Sequence, residues 1–419
     1  MGSEFLNESQ QGDQPEGAPQ EAASQSGRPD FSSFDAPKGQ EGAKVFGMLT
    51  DPDNPFLLDL ADLVPQEQRV PNEPALNVFL RALVNSGGSD LHLSYNVPPV
   101  LRVHGNLKPV KFKMIPADTM KKMIYQILSP QQRELCENGE EVDACYTIEG
   151  VGRFRMNIFH QLYGLAAVFR AIPIRVKTID EVGISEAIAK LALHGQGFVI
   201  VTGATGSGKS TTLAALIDYV NKNDACHIVT IEDPLEFVHT NYKSIVTHRE
   251  VGAHTNSFSN ALRAALRQDP DVILLGELRD LLTIEIALTA AETGHMVFGT
   301  LHTNNASETI SRIISVFPAD RQQQIAMQLS TVLTAIIAQE LMPSKDGKGR
   351  VPIREILVGT NSVRAMIRDG KIPQIYSAIE TGKKLGMRTM KESIEEAERL
   401  GKISADVAKD RITELAMKQ

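Results

Sequence analysis

The run Gly203-Ala204-Thr205-Gly206-Ser207-Gly208-Lys209-Ser210 constrains this chain more than any other feature, because it satisfies G-x-x-x-x-G-K-[ST]. An apolar strand, Phe198 to Val201, runs directly into it, and Thr211 to Val220 continues as a helix. That strand–loop–helix context is what a phosphate-binding loop needs. Glycines let successive backbone N–H groups converge on phosphate oxygens, and the helix N-terminus adds partial positive charge. Lys209 then supplies a point charge for the β- and γ-phosphates, and Ser210 offers its hydroxyl to Mg²⁺. The residues assigned to the nucleotide on this basis run from Gly203 through Thr211. A tight glycine-rich turn without a ligand would not require Lys-Ser at those offsets.

The pattern around the loop sets the fold class. Short apolar runs alternate with helices: Phe198 to Val201, His227 to Ile231, Val272 to Leu275 and His295 to Leu301. Runs apolar on both faces, joined by helical crossovers, imply a parallel sheet covered on both sides, an α/β core. Ahead of it, Pro74 to Ser86 and Asp118 to Leu128 read as helices, and Leu91 to Ser94 and Val100 to Val103 as strands. Gly152 to Ile172 reads as a hairpin, with Phe154, Met156 and Ile158 on one face and Arg153, Arg155 and Asn157 on the other. This is a small α+β domain. From about Ser307 the chain reads as helical, broken late by Gly370, Pro373 and Gly382. The expected organisation is therefore an acidic disordered extension over 1–70, an α+β domain over 71–177 and a linker over 178–186. The ATPase core follows over 187–345, and a helical region over 346–419. An apolar island, Phe56 to Val64, interrupts the extension and reads as a short lead-in segment.

Composition narrows the function classes. A net charge of -8 gives no global reason to expect nucleic-acid binding. Cys136, Cys145 and Cys226 form no CxxC pair, which argues against a zinc site or a disulfide framework and for a reducing, cytoplasmic compartment. No stretch approaches the ~18 consecutive apolar residues of a bilayer span, so direct membrane insertion is not expected.

Hydrolysis needs carboxylates beside the loop. Asp271 to Glu277 is an apolar strand ending in an acid, and Glu277 is assigned to catalysis and to the metal. A second strand, Ile228 to Ile231, delivers Glu232 at its C-terminal end, where open α/β sheets place their sites. Glu232 is the group expected to activate the attacking water. His295 and His302 bracket a third strand, and either one is placed to sense the γ-phosphate.

With these residues in hand, the chain resembles the secretion and pilus motor ATPases, specifically the type IV pilus retraction (twitching motility, PilT-type) branch. Gly203 to Ser210 is similar to that family's Walker A, and Thr230-Ile231-Glu232-Asp233-Pro234-Leu235-Glu236 to its Asp box. Leu262 to Asp280 is similar to its Walker B region, and Thr293 to Thr303 to its His box. The resemblance begins near Pro74. It implies a RecA-like ATPase domain, a smaller PAS-like N-terminal domain and a helical C-terminal portion. It also implies ATP with Mg²⁺ as cofactors and a homo-hexameric ring with nucleotide between the two domains, where Arg153, Arg155 or Arg170 reaches the nucleotide in trans. Glu232 and Glu277 become the catalytic carboxylates, and His302 or His295 couples nucleotide state to motion. An inner-membrane pilus platform protein and a second related motor ATPase are the implied partners, which places the chain at the inner face of the cytoplasmic membrane. Assembly ATPases of the same family carry a tetracysteine module after the Walker B region. No cysteine follows Cys226, which favours retraction. The alternatives are an assembly ATPase of pilus or type II secretion systems, or a ring subunit that binds nucleotide without turnover. Asn304-Asn305-Ala306 and Ser362 to Arg368 depart from the family's usual pattern.

Overall fold

The computed structural model describes residues 57–68, 70, 72–103, 105–172, 175–193, 195–347 and 349–417. The expectation of disorder over 1–56 lies outside them. Within them two sheets organise the chain.

The first sheet has six antiparallel strands: β1 (Asp90–Leu93), β2 (Val100–Val103), β3 (Asn106–Pro109), β4 (Val142–Ile148), β5 (Gly152–Gln161) and β6 (Gly164–Ile172). They lie in the order β3-β2-β1-β6-β5-β4. The alternation read from the hairpin is realised, since Phe154, Met156 and Ile158 are fully buried. Burial of that size contributes about 1.5–3 kcal/mol per side chain. Helices Asn77–Asn85, Ala117–Tyr125 and Pro130–Glu137 cover this face with Phe79, Leu80, Leu83, Met120 and Ile124. The third of them starts on a capping box in which Ser129 and Gln132 satisfy each other's backbone N–H groups.

Residues 57–68 are folded, contrary to the expectation of disorder through Val70. Leu58 bridges to Val110, and the short helix Leu60–Leu63 sends Leu60 into the same core as Val64. The apolar side chains of the island find a packed surface, which offsets the entropy that composition alone suggested was decisive.

The second sheet contains β7 (Gly197–Thr202), β8 (His227–Glu232), β9 (Ile245–Glu250), β10 (Val272–Leu275), β11 (Met296–Leu301), β12 (Leu333–Pro343) and β13 (Arg350–Val358). Their order is β13-β12-β7-β11-β10-β8-β9. All neighbours are parallel except β12 and β13. Two of these strands correct the sequence reading, which made everything after Ser307 helical. Helices Ala306–Ser315 and Ala319–Val332 are followed by β12 and β13, and only then do helices resume. The run Leu333 to Ala338 is apolar at every position except Thr334, so its periodicity fits a buried strand as well as a buried helix. The segment read as a linker is a packed turn of helix, Ile179–Val182. Thr178 and Glu181 cap it, Gly183 closes it at φ 74°, and Ile179, Val182 and Ile184 pack on Leu213 and Leu216.

Candidate active site

Four parallel strands end at the same edge of the sheet, and hydrogen bonds fix their tips together. The Thr202 hydroxyl at the end of β7 lies 2.7 Å from the Thr303 carbonyl, just past β11. Thr300 on β11 donates to the Gly276 carbonyl at 2.5 Å, and the Gly276 N–H donates to the Ile231 carbonyl on β8 at 2.8 Å. A Cβ on Gly276 would lie 3.2 Å from the Glu232 Cα, so a small residue keeps the two strand ends close. The phosphate loop, Glu232, Glu277 and His302 consequently line one cavity of about 940 Å³.

The loop itself is shaped by glycine at the positions that need it. Gly203 adopts φ 144°, and a Cβ there would lie 2.1 Å from the carbonyl oxygen of Gln339 on β12. Gly208, at φ 87°, starts the helix Lys209–Asn223. Lys209 Nζ donates to the carbonyls of Gly203 and Ala204 at 2.7 and 3.1 Å. Burial pulls its pKa below the usual lysine value, and the Glu277 carboxylate acts in the opposite sense. The Ser207 hydroxyl is buried with no partner of its own among the described residues. An orphaned donor inside the loop, a half-buried ammonium and a helix N-terminus together suit an oxyanion. Thr205, Gly206, Gly208, Lys209, Ser210 and Thr211 all face the cavity.

Glu232 is 7% exposed, and its pKa is pushed up to about 7, chiefly by burial. The Glu236 N–H, donating to Oε2 at 3.1 Å, and the Thr230 hydroxyl oppose that rise. Glu277 is flanked on two sides: Arg279 Nε donates to Oε2 at 2.7 Å, and His302 Nε2 lies 3.2 Å from Oε1. Oxygen ligands for Mg²⁺ are present in Ser210 and Glu277, which line the same cavity and fit a hard cation.

Two assignments are corrected. His295 does not reach the site: it precedes β11, its Nδ1 lies 2.9 Å from the Ala290 carbonyl, and it closes the helix Leu281–Glu292. The whole of β11 separates it from His302, about 20 Å at the rise of a strand. Arg153 does not line the cavity either. Its guanidinium is taken by the buried carboxylate of Glu250 at the end of β9. Arg155 and Arg170 do line it, and Arg170 is braced by Asp90 at 2.8 Å.

Sequence reasoning assigned no role to Arg279, Gln339 or Arg354. Gln339 ties β12 to the loop, its Nε2 donating to the Ser207 carbonyl at 2.6 Å and its Oε1 accepting from Thr212 at 2.7 Å. Arg354 Nε donates to the same Oε1 at 2.7 Å, and burial lowers its pKa to about 10. The polar pair Gln339-Glu340 that breaks off the apolar run Ala335 to Ala338 was the available signal.

A family model described as "Type II/IV secretion system protein" matches residues 66–407. The chain belongs to that family. Among relatives within it, the type IV pilus retraction ATPase PilT of Pseudomonas aeruginosa is 47% identical over 325 residues, covering 78% of this chain and 94% of the relative. A twitching motility protein of Neisseria gonorrhoeae is 47% identical over 313 residues, covering 75% of this chain and 84% of the relative. A crystal structure of the pilus retraction motor PilT with bound ADP superposes with a TM-score of 0.74 at 42% identity, covering 80% of this family member and 96% of that chain.

Proposed function

We propose that this chain hydrolyses ATP as a ring-forming motor that drives type IV pilus retraction, the activity named for its nearly half-identical relatives. The observation that carries the reading is the convergence of Lys209, Glu232, Glu277 and His302 on one cavity at the strand tips. The loop N–H groups and Lys209 hold the triphosphate. Ser210 and Glu277 are the residues that would hold Mg²⁺, which when bound offsets negative charge on the phosphates. Glu232, with a pKa near neutrality, accepts the proton of the attacking water. His302, 3.2 Å from Glu277, is placed to register whether a γ-phosphate is present.

The working assembly in this reading is a homo-hexamer; Arg155 and Arg170, which line the cavity of their own chain, supply cations to the nucleotide held there rather than to a neighbour's. It sits in the cytoplasm against the inner membrane through a pilus platform protein and shares the work with a second related motor. Among the described residues no helix is long and apolar enough to cross a membrane, so attachment through a partner suits that location. Purified full-length chain should release phosphate from ATP, and Glu277→Gln should keep nucleotide binding while lowering turnover by about 10²-fold or more, the range for loss of a charge-organising group. Cells carrying only that variant should retain pili that do not retract. Steady turnover by Glu277→Gln, or normal retraction, would overturn the assignment.

A further inference from the structure

One buried carboxylate near the site takes no part in the chemistry above. Glu250 ends β9, is 5% exposed, and lies in register with Glu232 on the neighbouring strand β8. The next residue's N–H, that of Val251, donates to the Glu232 carbonyl at 2.9 Å. Both oxygens of Glu250 are taken by the antiparallel sheet of the N-terminal domain. Oε1 accepts from the Cys145 thiol on β4 at 3.3 Å, and Oε2 accepts from Arg153 on β5. Cys145 stands opposite Arg155 in the β4–β5 ladder, and Arg155 stands opposite Arg170 in the β5–β6 ladder. Arg155 is two residues beyond Arg153 on the same strand face, about 7 Å away at the rise of a strand. The contact that ties the domain to the core is thus next to the two arginines that face the phosphate loop.

We propose that Arg153, Cys145 and Glu250 form an interdomain latch that positions Arg155 and Arg170 toward the phosphate-loop cavity, Arg153 being a positioning residue rather than a nucleotide ligand. A carboxylate buried this deeply cannot give up its cation without being left uncompensated, so the contact is made or broken as a unit. When it is made, the β5–β6 face is registered against β9, and through β9 against the strand that carries Glu232. When it opens, the arginines leave the cavity and the Cys145 thiol is uncovered.

The activity arm of the test rests on the ATPase reading; the thiol arm does not. Full-length protein is treated with N-ethylmaleimide, and each cysteine is followed by peptide mass spectrometry. Cys136, 1% exposed in the core of the same domain, reports whether that domain remains folded. In Arg153→Met and in Glu250→Gln, Cys145 should react about tenfold faster while Cys136 stays protected, since removing either charge frees the latch to open locally while the domain core stays closed. The double variant should react no faster than either single one, as expected for partners in one contact, and Arg153→Lys should stay near wild type. In parallel, kcat should fall by about tenfold with the KM for ATP within about threefold, because the cations are displaced and not removed. Unchanged Cys145 reactivity, additive effects of the two substitutions, labelling of Cys136 alongside Cys145, or a raised KM at constant kcat would each overturn the latch. If the labelling pattern holds but wild type releases no phosphate, the motor reading fails and the latch stands. Turnover with Cys145 labelling unaffected by the substitutions gives the reverse.

Discussion

Replacing Glu232 with Gln separates its charge from its shape. Burial raises this carboxyl from 4.5 to about 7, so the folded protein favours the protonated form. The sign follows from linkage. A raised carboxyl pKa gives a stability contribution that is complete below the unfolded-state value, and it is lost as pH climbs through about 7. At about 1.4 kcal/mol for each tenfold in proton affinity, the interval corresponds to about 3 kcal/mol. Gln resembles the protonated acid and carries no charge at any pH. Nucleotide-free E232Q should therefore match wild type near pH 5 and melt about 6 °C higher near pH 8.5, taking ~2 °C per kcal/mol for a chain of this size. Turnover should fall by about 10²–10⁴-fold, the usual worth of a positioned base, and the wild-type rise in rate as pH passes through 7 should vanish. Scanning calorimetry across pH and steady-state phosphate release measure the two halves. A variant destabilised equally at both pH values, or one that hydrolyses ATP with the wild-type pH limb intact, would refute the assignment of Glu232 as a buried base.

Lys209→Ala should weaken nucleotide binding by about 100-fold or more in equilibrium titration, since it removes a charge-assisted contact to phosphate. His302→Ala should lower kcat by about tenfold or more through loss of its close contact with Glu277, whereas His295→Ala should leave kcat within about twofold and reduce thermal stability by about 1 kcal/mol through loss of its bond to the Ala290 carbonyl. With Arg155 and Arg170 acting on the nucleotide of their own chain, specific ATPase activity should stay flat with protein concentration, with mass photometry following ring formation in parallel. A rise until assembly is complete would assign those arginines to a neighbour's nucleotide.

The parallel strands were readable because burial on both faces leaves an uninterrupted apolar run, and β7, β8, β10 and β11 each fall within a residue of the expected bounds. Glu232 and Glu277 were singled out because such strands present acids to a ligand site at their tips, and the structure brings both to one cavity. The strand β9 escaped notice because its sequence, Ile-Val-Thr-His-Arg-Glu, lacks an apolar run. His295 and His302 flank the same strand with equal prominence in the sequence; chain direction decides between them, because only the C-terminal end of β11 meets the phosphate loop. Arg153 and Arg155 share a strand face, and nothing local separates the one that meets Glu250 from the one that meets the cavity. That distinction depends on how two domains dock, which is tertiary information. Gln339 and Arg354 act from strands β12 and β13, at least 130 residues after the start of the loop they support.

The pairing of β12 with β13 makes trimming the motor difficult. A division of the chain at residue 345 would pass between strands whose register runs from Ala335–Val358 to Pro343–Arg350. A shortened version ending there would lose the guanidinium of Arg354 and present β12 as an open sheet margin, ready to recruit another copy. The ATP-handling module therefore extends at least through Val358, and a shift of the distal helices that disturbs β13 reaches the phosphate cradle within one strand.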